Sequence, residues 1–171
     1  MTGIGLGDAV FNKVLLESEE FLRKQKDIEW GIILDKDGNT LLKKKGTEKS
    51  IVFTEAEVFK MKDNVFTHNH PSQQSFSMAD IDLLAEYGLS EARAITSGFS
   101  YSARLKLPND ISVEDFRIEL YKKEYAYRAS TQYQLESGIM TWEEMAPEYW
   151  HTFWNSLNTE IDYFKYNRNV L

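Results

Sequence analysis

Apolar positions along the chain follow two periods, and the switches between them mark the elements. From Asp8 onward Val10, Val14, Leu15, Phe21 and Leu22 recur at helical spacing among charged residues, which predicts an amphipathic helix. Asp8 is placed to cap its start, and Arg23, Lys24 and Lys26 suit its negative C-terminal end. Met1 to Gly7 carries Gly3, Gly5 and Gly7 but has no strand before it, so it reads as a flexible lead and not as a phosphate loop. Ile28 to Leu34 then reads as a strand, Asp35-Lys36-Asp37-Gly38-Asn39 as a hairpin turn and Thr40 to Lys45 as the returning strand. A third short strand is expected over Ser50 to Phe53, a short helix over Thr54 to Met61 and a further strand over Val65 to His70. Ser77 to Tyr87 predicts a helix closed by Gly88, and Ala92 to Thr96 and Phe99 to Leu105 predict two strands joined at Ser97-Gly98.

Pro108-Asn109-Asp110 marks a boundary. Beyond it, Ser112 to about Gly138 is a long polar helix with Phe116, Leu120, Tyr127 and Leu135 among its apolar positions. Thr141-Trp142-Glu143-Glu144 has the spelling of a capping box, and Pro147 bends or restarts the helix. Trp150, Phe153, Trp154, Leu157, Ile161 and Phe164 then form a helical stripe. Two readings of that stripe stand: core packing on its own domain, or a docking face for a homodimer or partner protein. The pattern therefore divides the chain into an α/β domain over residues 1–108 and a helical C-terminal extension over 109–171, packed on that domain or on a partner.

Composition narrows the function classes. The chain has 171 residues, 42% of them hydrophobic and 13% aromatic, enough to bury a proper core. A formal net charge of −7 argues against general nucleic-acid binding, which needs a basic surface. With no cysteine there is neither a disulfide framework nor a thiolate metal site, and no long apolar run predicts a membrane span. With no signal-peptide pattern either, a cytoplasmic location is the expectation.

The chemistry concentrates between Phe66 and Ile81. Two of the three histidines, His68 and His70, sit two residues apart on a predicted strand and so share a face, with Asn69 turned the other way. Pro71 ends the strand, a polar loop follows, and Asp80 falls in the first turn of the next helix, able to look back at the strand end. Two imidazoles and a carboxylate match the ligand set of a catalytic zinc whose fourth position is left to water. Asp82 is the second choice for the carboxylate. Ser77 reads as the helix N-cap. The third histidine, His151, lies beside the aromatic stripe and reads as a packed or surface residue. Glu29, opening an apolar strand, reads on its own as a solvated strand end, and Glu57 occupies a capping-box position after Thr54.

His68-Asn69-His70-Pro71-Ser72, followed by Ser75-Phe76-Ser77-Met78-Ala79-Asp80-Ile81, resembles the metal motif of JAMM (MPN+) metalloproteases. The spelling is closest to the branch found in RadC-type and phage-associated proteins. Gly46 to Thr54 also looks like the lead-in of the phage-type group, and the resemblance spans roughly Ile28 to Leu105. Between His70 and Asp80 there is one residue fewer than in the eukaryotic deubiquitinase pattern, which argues against a ubiquitin-like substrate. The resemblance implies an α/β/α domain with a mixed, mainly antiparallel sheet flanked by helices. It further implies zinc held by His68, His70 and Asp80, and Glu29 as general base in preference to Glu55 or Glu57. Ser77 would be the oxyanion donor. The activity implied is hydrolysis of a peptide or isopeptide bond in a peptide or protein substrate. Two other functions stay open: a phage- or mobile-element-derived assembly module with a structural or vestigial metal site, and a RadC-type link to DNA metabolism.

Overall fold

A computed structural model describes residues 6–171 of the chain. Most of the expected lead, residues 1–5, lies outside the described residues. In chain order the elements are α1 (Leu6–Arg23), β1 (Trp30–Leu34), β2 (Thr40–Lys45), α2 (Glu55–Val58), β3 (Val65–Asn69) and α3 (Met78–Glu86). They continue as β4 (Glu91–Ile95), β5 (Phe99–Leu105), α4 (Val113–Glu136), α5 (Trp142–Met145), α6 (Tyr149–Glu160) and β6 (Phe164–Val170). The six strands form one mixed sheet in the order β2-β1-β3-β4-β5-β6, parallel between β3 and β4 and antiparallel elsewhere.

Helices cover both faces, and the strand sequences follow from that. β1 and β3 are central and buried almost throughout, so WGIIL and VFTHN lack the alternation of a one-sided strand. Edge strand β2, TLLKKK, keeps Lys43 and Lys45 toward solvent, while Lys44 is half-buried and pairs with Glu57. On one face α1 sets Phe11, Val14, Leu15 and Leu22 against Ile32, Leu34 and Ile95. On the other face Ile33, Phe66, Ala92 and Ala94 meet Ile81 and Leu84 of α3, Phe116 and Leu120 of α4, and Phe153, Trp154 and Leu157 of α6.

Most turns follow the sequence. In the β1–β2 hairpin the Asp35 carboxylate accepts from the Asp37 and Asn39 backbone N–H groups at 2.9 and 2.8 Å, and Gly38 takes a φ of +85°. Gly88, at φ +61°, ends α3 as anticipated. α1 starts at Leu6, so Asp8 lies inside its first turn and is not the residue preceding the helix.

Two expectations are corrected. Ser50 to Phe53 forms no strand. Ile51 instead closes over Gly31, and the Phe53 ring packs edge-on against Phe66 at 5.6 Å. The C-terminal extension is not all-helical either. α6 ends at Glu160, and Phe164 to Val170 forms β6, paired along its length with β5. Phe164 continues the helical stripe by spacing, but Phe164 and Tyr166 are buried while Lys165 and Asn167 are exposed, the period of a strand. Residues 109–171 therefore finish inside the sheet begun by residues 1–108.

The aromatic stripe is core. Phe153, Trp154, Leu157, Ile161 and Phe164 are buried within the chain, and Trp150 is half-buried against them, so the stripe packs on its own domain. Among the described residues no helix is long and apolar enough to cross a membrane.

Trp154 is fully buried and its indole N–H donates to the Phe76 carbonyl at 2.7 Å. Trp154→Phe should cost about 1–3 kcal/mol, combining a small cavity with a buried carbonyl left without its donor. Urea denaturation of the full chain checks it. A change within a few tenths of a kcal/mol would mean the indole is not packed and bonded as described.

Candidate metal centre

β3 and the residue that follows it deliver His68 and His70 to the α3 side of the sheet, as the period of two requires. His68 lies opposite Gly31 of β1, and its ring stacks on Phe66 with centroids 4.8 Å apart and planes 7° from parallel. Gly31 makes the space: a β-carbon there would stand 2.6 Å from Phe66 Cε2 and 2.8 Å from Ile51 Cδ1. His68 Nε2 and His70 Nε2 lie 2.8 Å apart, and Asp80 places Oδ1 at 3.1 Å from the first and Oδ2 at 3.4 Å from the second. One ligand atom from each of the three residues falls within 4.8 Å of the others.

Asp80 is held by the helix it opens. Its Oδ2 accepts from the Ser77 backbone N–H at 2.7 Å and from the Ser77 hydroxyl at 2.8 Å, closing a capping box with Ser77 as N-cap. Ser77 thus orients the carboxylate, and in this geometry its hydroxyl proton is committed to Asp80. The helix N-terminus adds a favourable field for the negative charge. Asp82 is elsewhere: it accepts from Arg117 Nε at 3.1 Å and from the Tyr121 hydroxyl at 2.6 Å, tying α3 to α4.

His70 Nδ1 lies 3.0 Å from the Gln74 carbonyl. A carbonyl only accepts, so Nδ1 carries the proton and, in the neutral ring, Nε2 presents a lone pair to the cluster. Such outer hydrogen bonds characteristically orient metal-ligating histidines. The loop that supplies the carbonyl is tied down residue by residue. Gln73, at φ +62°, accepts from the Ser97 N–H at 2.8 Å through its side-chain oxygen; Ser75 Oγ meets the Tyr166 hydroxyl at 2.8 Å; Phe76 O takes the Trp154 indole. Tyr166 also meets His151 Nδ1 at 2.8 Å, so His151 is a packed residue outside the cluster.

The protonation states reflect burial and mutual charge. For Asp80, burial pushes the pKa up, but the two imidazoles override it and hold the carboxyl well below its usual range. For His70, burial pushes down, while the Asp80 charge and hydrogen bond, the Gln74 carbonyl and Glu29 carry it up to about 9. His68 is lowered, chiefly by burial. The Asp80 charge and the Arg93 backbone oppose the shift without overcoming it, and the buried Nδ1 makes no well-formed hydrogen bond.

These residues fit a metal ion. Two Nε2 atoms and a carboxylate converge on one point in a buried setting, where a single proton satisfies one pair and a cation satisfies all three ligands. A metal ion entering must displace the His70 proton, so its binding tightens as pH rises.

Glu29 faces the same cleft, a cavity of about 250 Å³ also lined by Phe53, Phe66 and Ser77. It continues the β1–β2 ladder beyond the strand: its N–H donates to Thr47 O at 2.7 Å and its carbonyl accepts from the Gly46 N–H at 2.8 Å. Asn69, on the reverse side of β3, accepts from the Trp30 N–H at 2.7 Å and donates to the carbonyls of Gln25 and Ile28 at 2.8 and 3.0 Å. It thereby fixes the segment that carries Glu29. The alternation placed Asn69 on that face; nothing in the sequence named its partners. Burial pushes the Glu29 carboxyl up, and with His70 opposing and Asp80 assisting, its pKa reaches about 7. Glu57 is excluded as a rival, because its carboxylate caps Thr54 N–H at 2.8 Å and pairs with Lys44. Glu55 is exposed on the same short helix.

Compared with known proteins, the chain matches no family model, no curated protein and no solved structure.

Glu29 carries a pH prediction. Folding raises its pKa from 4.5 to about 7, so between those values the folded metal-free chain holds a proton that the unfolded chain has released. Stability therefore falls as pH rises through that window. With the partial exposure of the group discounted, the loss is about 1–2 kcal/mol. Glu29→Gln should remove it, leaving the variant more stable than the native chain at pH 8 but not at pH 4.5. Urea midpoints of the metal-free proteins at the two pH values decide; an equal effect at both would show that the carboxylate is not desolvated.

Proposed function

We propose that the chain is a zinc-dependent peptidase or isopeptidase that cleaves an amide bond at the cleft of His68, His70, Asp80 and Glu29. One observation carries the reading: a single cleft gathers a convergent His-His-Asp set and, apart from it, a half-buried glutamate whose pKa is raised to about 7. The ligands hold an ion, and the separate carboxylate moves a proton. The resemblance of His68-Asn69-His70-Pro71 and Ser77-Met78-Ala79-Asp80 to the JAMM motif supports the same assignment of roles.

Two neutral imidazoles with one carboxylate suit zinc better than hard, oxygen-preferring cations. When bound, zinc supplies Lewis acidity that makes water nucleophilic at neutral pH and polarises the scissile carbonyl. Glu29 takes the proton released by water and passes it to the departing amine, a task matched by a pKa near the working pH. A nearby cation lowers that value and favours the ionised, accepting form. Asp80, kept charged by Ser77 and the α3 N-terminus, offsets part of the cation's charge. Ser77 lines the cleft as well, and its hydroxyl serves a developing oxyanion once it rotates away from Asp80.

Protein purified without added metal should contain about one zinc per chain, lost in the His68→Ala/His70→Ala double variant. Against a panel of isopeptide-linked and peptide-tail substrates, Glu29→Gln should keep its zinc and lose about 10²–10⁴-fold in rate. Full activity of zinc-loaded Glu29→Gln, or failure to take up zinc when it is supplied, would sink the proposal.

A further inference from the structure

A second cavity, of about 450 Å³, adjoins the metal cleft. Glu124 and Arg128 of α4, Trp142 of α5, and Tyr149 and Trp150 of α6 are among its walls. Gln74 and Trp150 line both spaces and so form the partition between them.

Glu124 is the unexpected residue there. It is 5% exposed, a depth at which a glutamate is rare unless paired. Its pairing is one-sided. Oε1 receives Arg128 Nε at 3.0 Å, Arg128 Nη2 at 2.6 Å and the Tyr149 hydroxyl at 3.4 Å. Among the described residues no donor meets Oε2, yet that atom is not sealed into the protein interior. Arg128, with its side chain 68% exposed, stands toward solvent and leaves the second oxygen free.

The walls are aromatic. Trp142 is 63% exposed on a four-residue helix, and Tyr149 and Trp150 line the same cavity. Arg128 also lines the cavity but spends both of its contacts on Oε1, so an open carboxylate oxygen in a cavity lined by three aromatic side chains suits an organic cation, which gains a charge-assisted hydrogen bond and cation–π contact together. A neutral group would leave Oε2 unpaired, and the net charge of −7 repels anions.

We infer that this cavity binds a lysine or arginine side chain of the peptide cut at the adjoining cleft, with Glu124 and Trp142 as specificity-determining residues. The inference rests on the hydrolase reading for its peptide, but the cation site has a readout of its own. The metal-free chain is titrated with N-acetyl-lysine methylamide, N-acetyl-arginine methylamide and the neutral N-acetyl-norleucine methylamide while the four tryptophan indole N–H resonances are followed. The two cations should shift Trp142 and Trp150 and leave Trp30, on the α1 side of the sheet, in place; norleucine should move none of them. Glu124→Gln should weaken cation binding about tenfold, the loss of one charge-assisted contact. Trp142 is exposed, so Trp142→Ala should fold, weaken binding similarly, and decide the matter alone if Glu124→Gln does not fold.

An equal response to norleucine, no response to any probe, or unchanged affinity in the folded variants overturns the inference. Neither zinc nor hydrolysis enters this readout. A chain that takes up zinc and cleaves amides but ignores the cations loses only the cation site. One that binds the cations but takes up no zinc keeps the site and loses the hydrolase reading.

Discussion

Asp80 has two demands placed on one carboxylate, and the site depends on meeting both. As the third residue of α3 it closes the capping box with Ser77; as the partner of His68 and His70 it is buried among imidazoles. Taking a carboxylate out of water costs several kcal/mol unless its lone pairs are filled. Here Oδ2 takes two hydrogen bonds from Ser77, Oδ1 faces His68, and the helix N-terminus contributes its partial positive charge. The helix start, the strand end and the charge of the cluster are therefore one interaction. Shifting α3 by a single residue would leave a charge buried with neither cap nor partner.

Packing sets the dielectric in which that charge acts. Phe66 stacks on His68, Phe76 lies 6.4 Å from the same ring, and Gly31 opens the space that lets Ile51 and Phe66 close in. The same apolar shell lowers the pKa of His68 and raises that of Glu29. One physical cause thus moves the two groups in opposite directions, each toward its neutral form.

Much of this was legible in the sequence because it is local. A period of two places His68 and His70 together and Asn69 opposite; Pro71 stops the strand; Ser77 and Asp80 have the spacing of a cap. What was not legible is non-local. Ser50 to Phe53 has a strand's composition, but the segment forms no strand and Ile51 packs over Gly31, a contact distant in sequence. β6 was hidden because Phe164 extends the helical stripe by three residues, and only pairing with β5 reveals the alternation of Phe164 and Tyr166 with Lys165 and Asn167. The bonds of Asn69 to Gln25, Ile28 and Trp30 span about forty positions in the chain, and so could only come from the fold.

The C-terminal residues are better understood as part of the site's foundation than as an appendage. Three successive loop residues between His70 and Asp80 are each held from beyond position 140: Gln74 reaches the Ala146 carbonyl at 3.4 Å, Ser75 meets Tyr166, and Phe76 takes the Trp154 indole. A polar loop bounded by proline has many conformations of similar energy, and fixing each residue costs about 1–2 kcal/mol of backbone entropy. The ligands at its two ends do not supply that order, since β3 fixes only one end and α3 the other. The anchors at 74, 75 and 76 do, and one of them carries the carbonyl that sets the His70 tautomer. The orientation of His70, just past the end of β3, is in this way settled by contacts with Ala146, α6 and β6, 72 to 91 positions later in the chain.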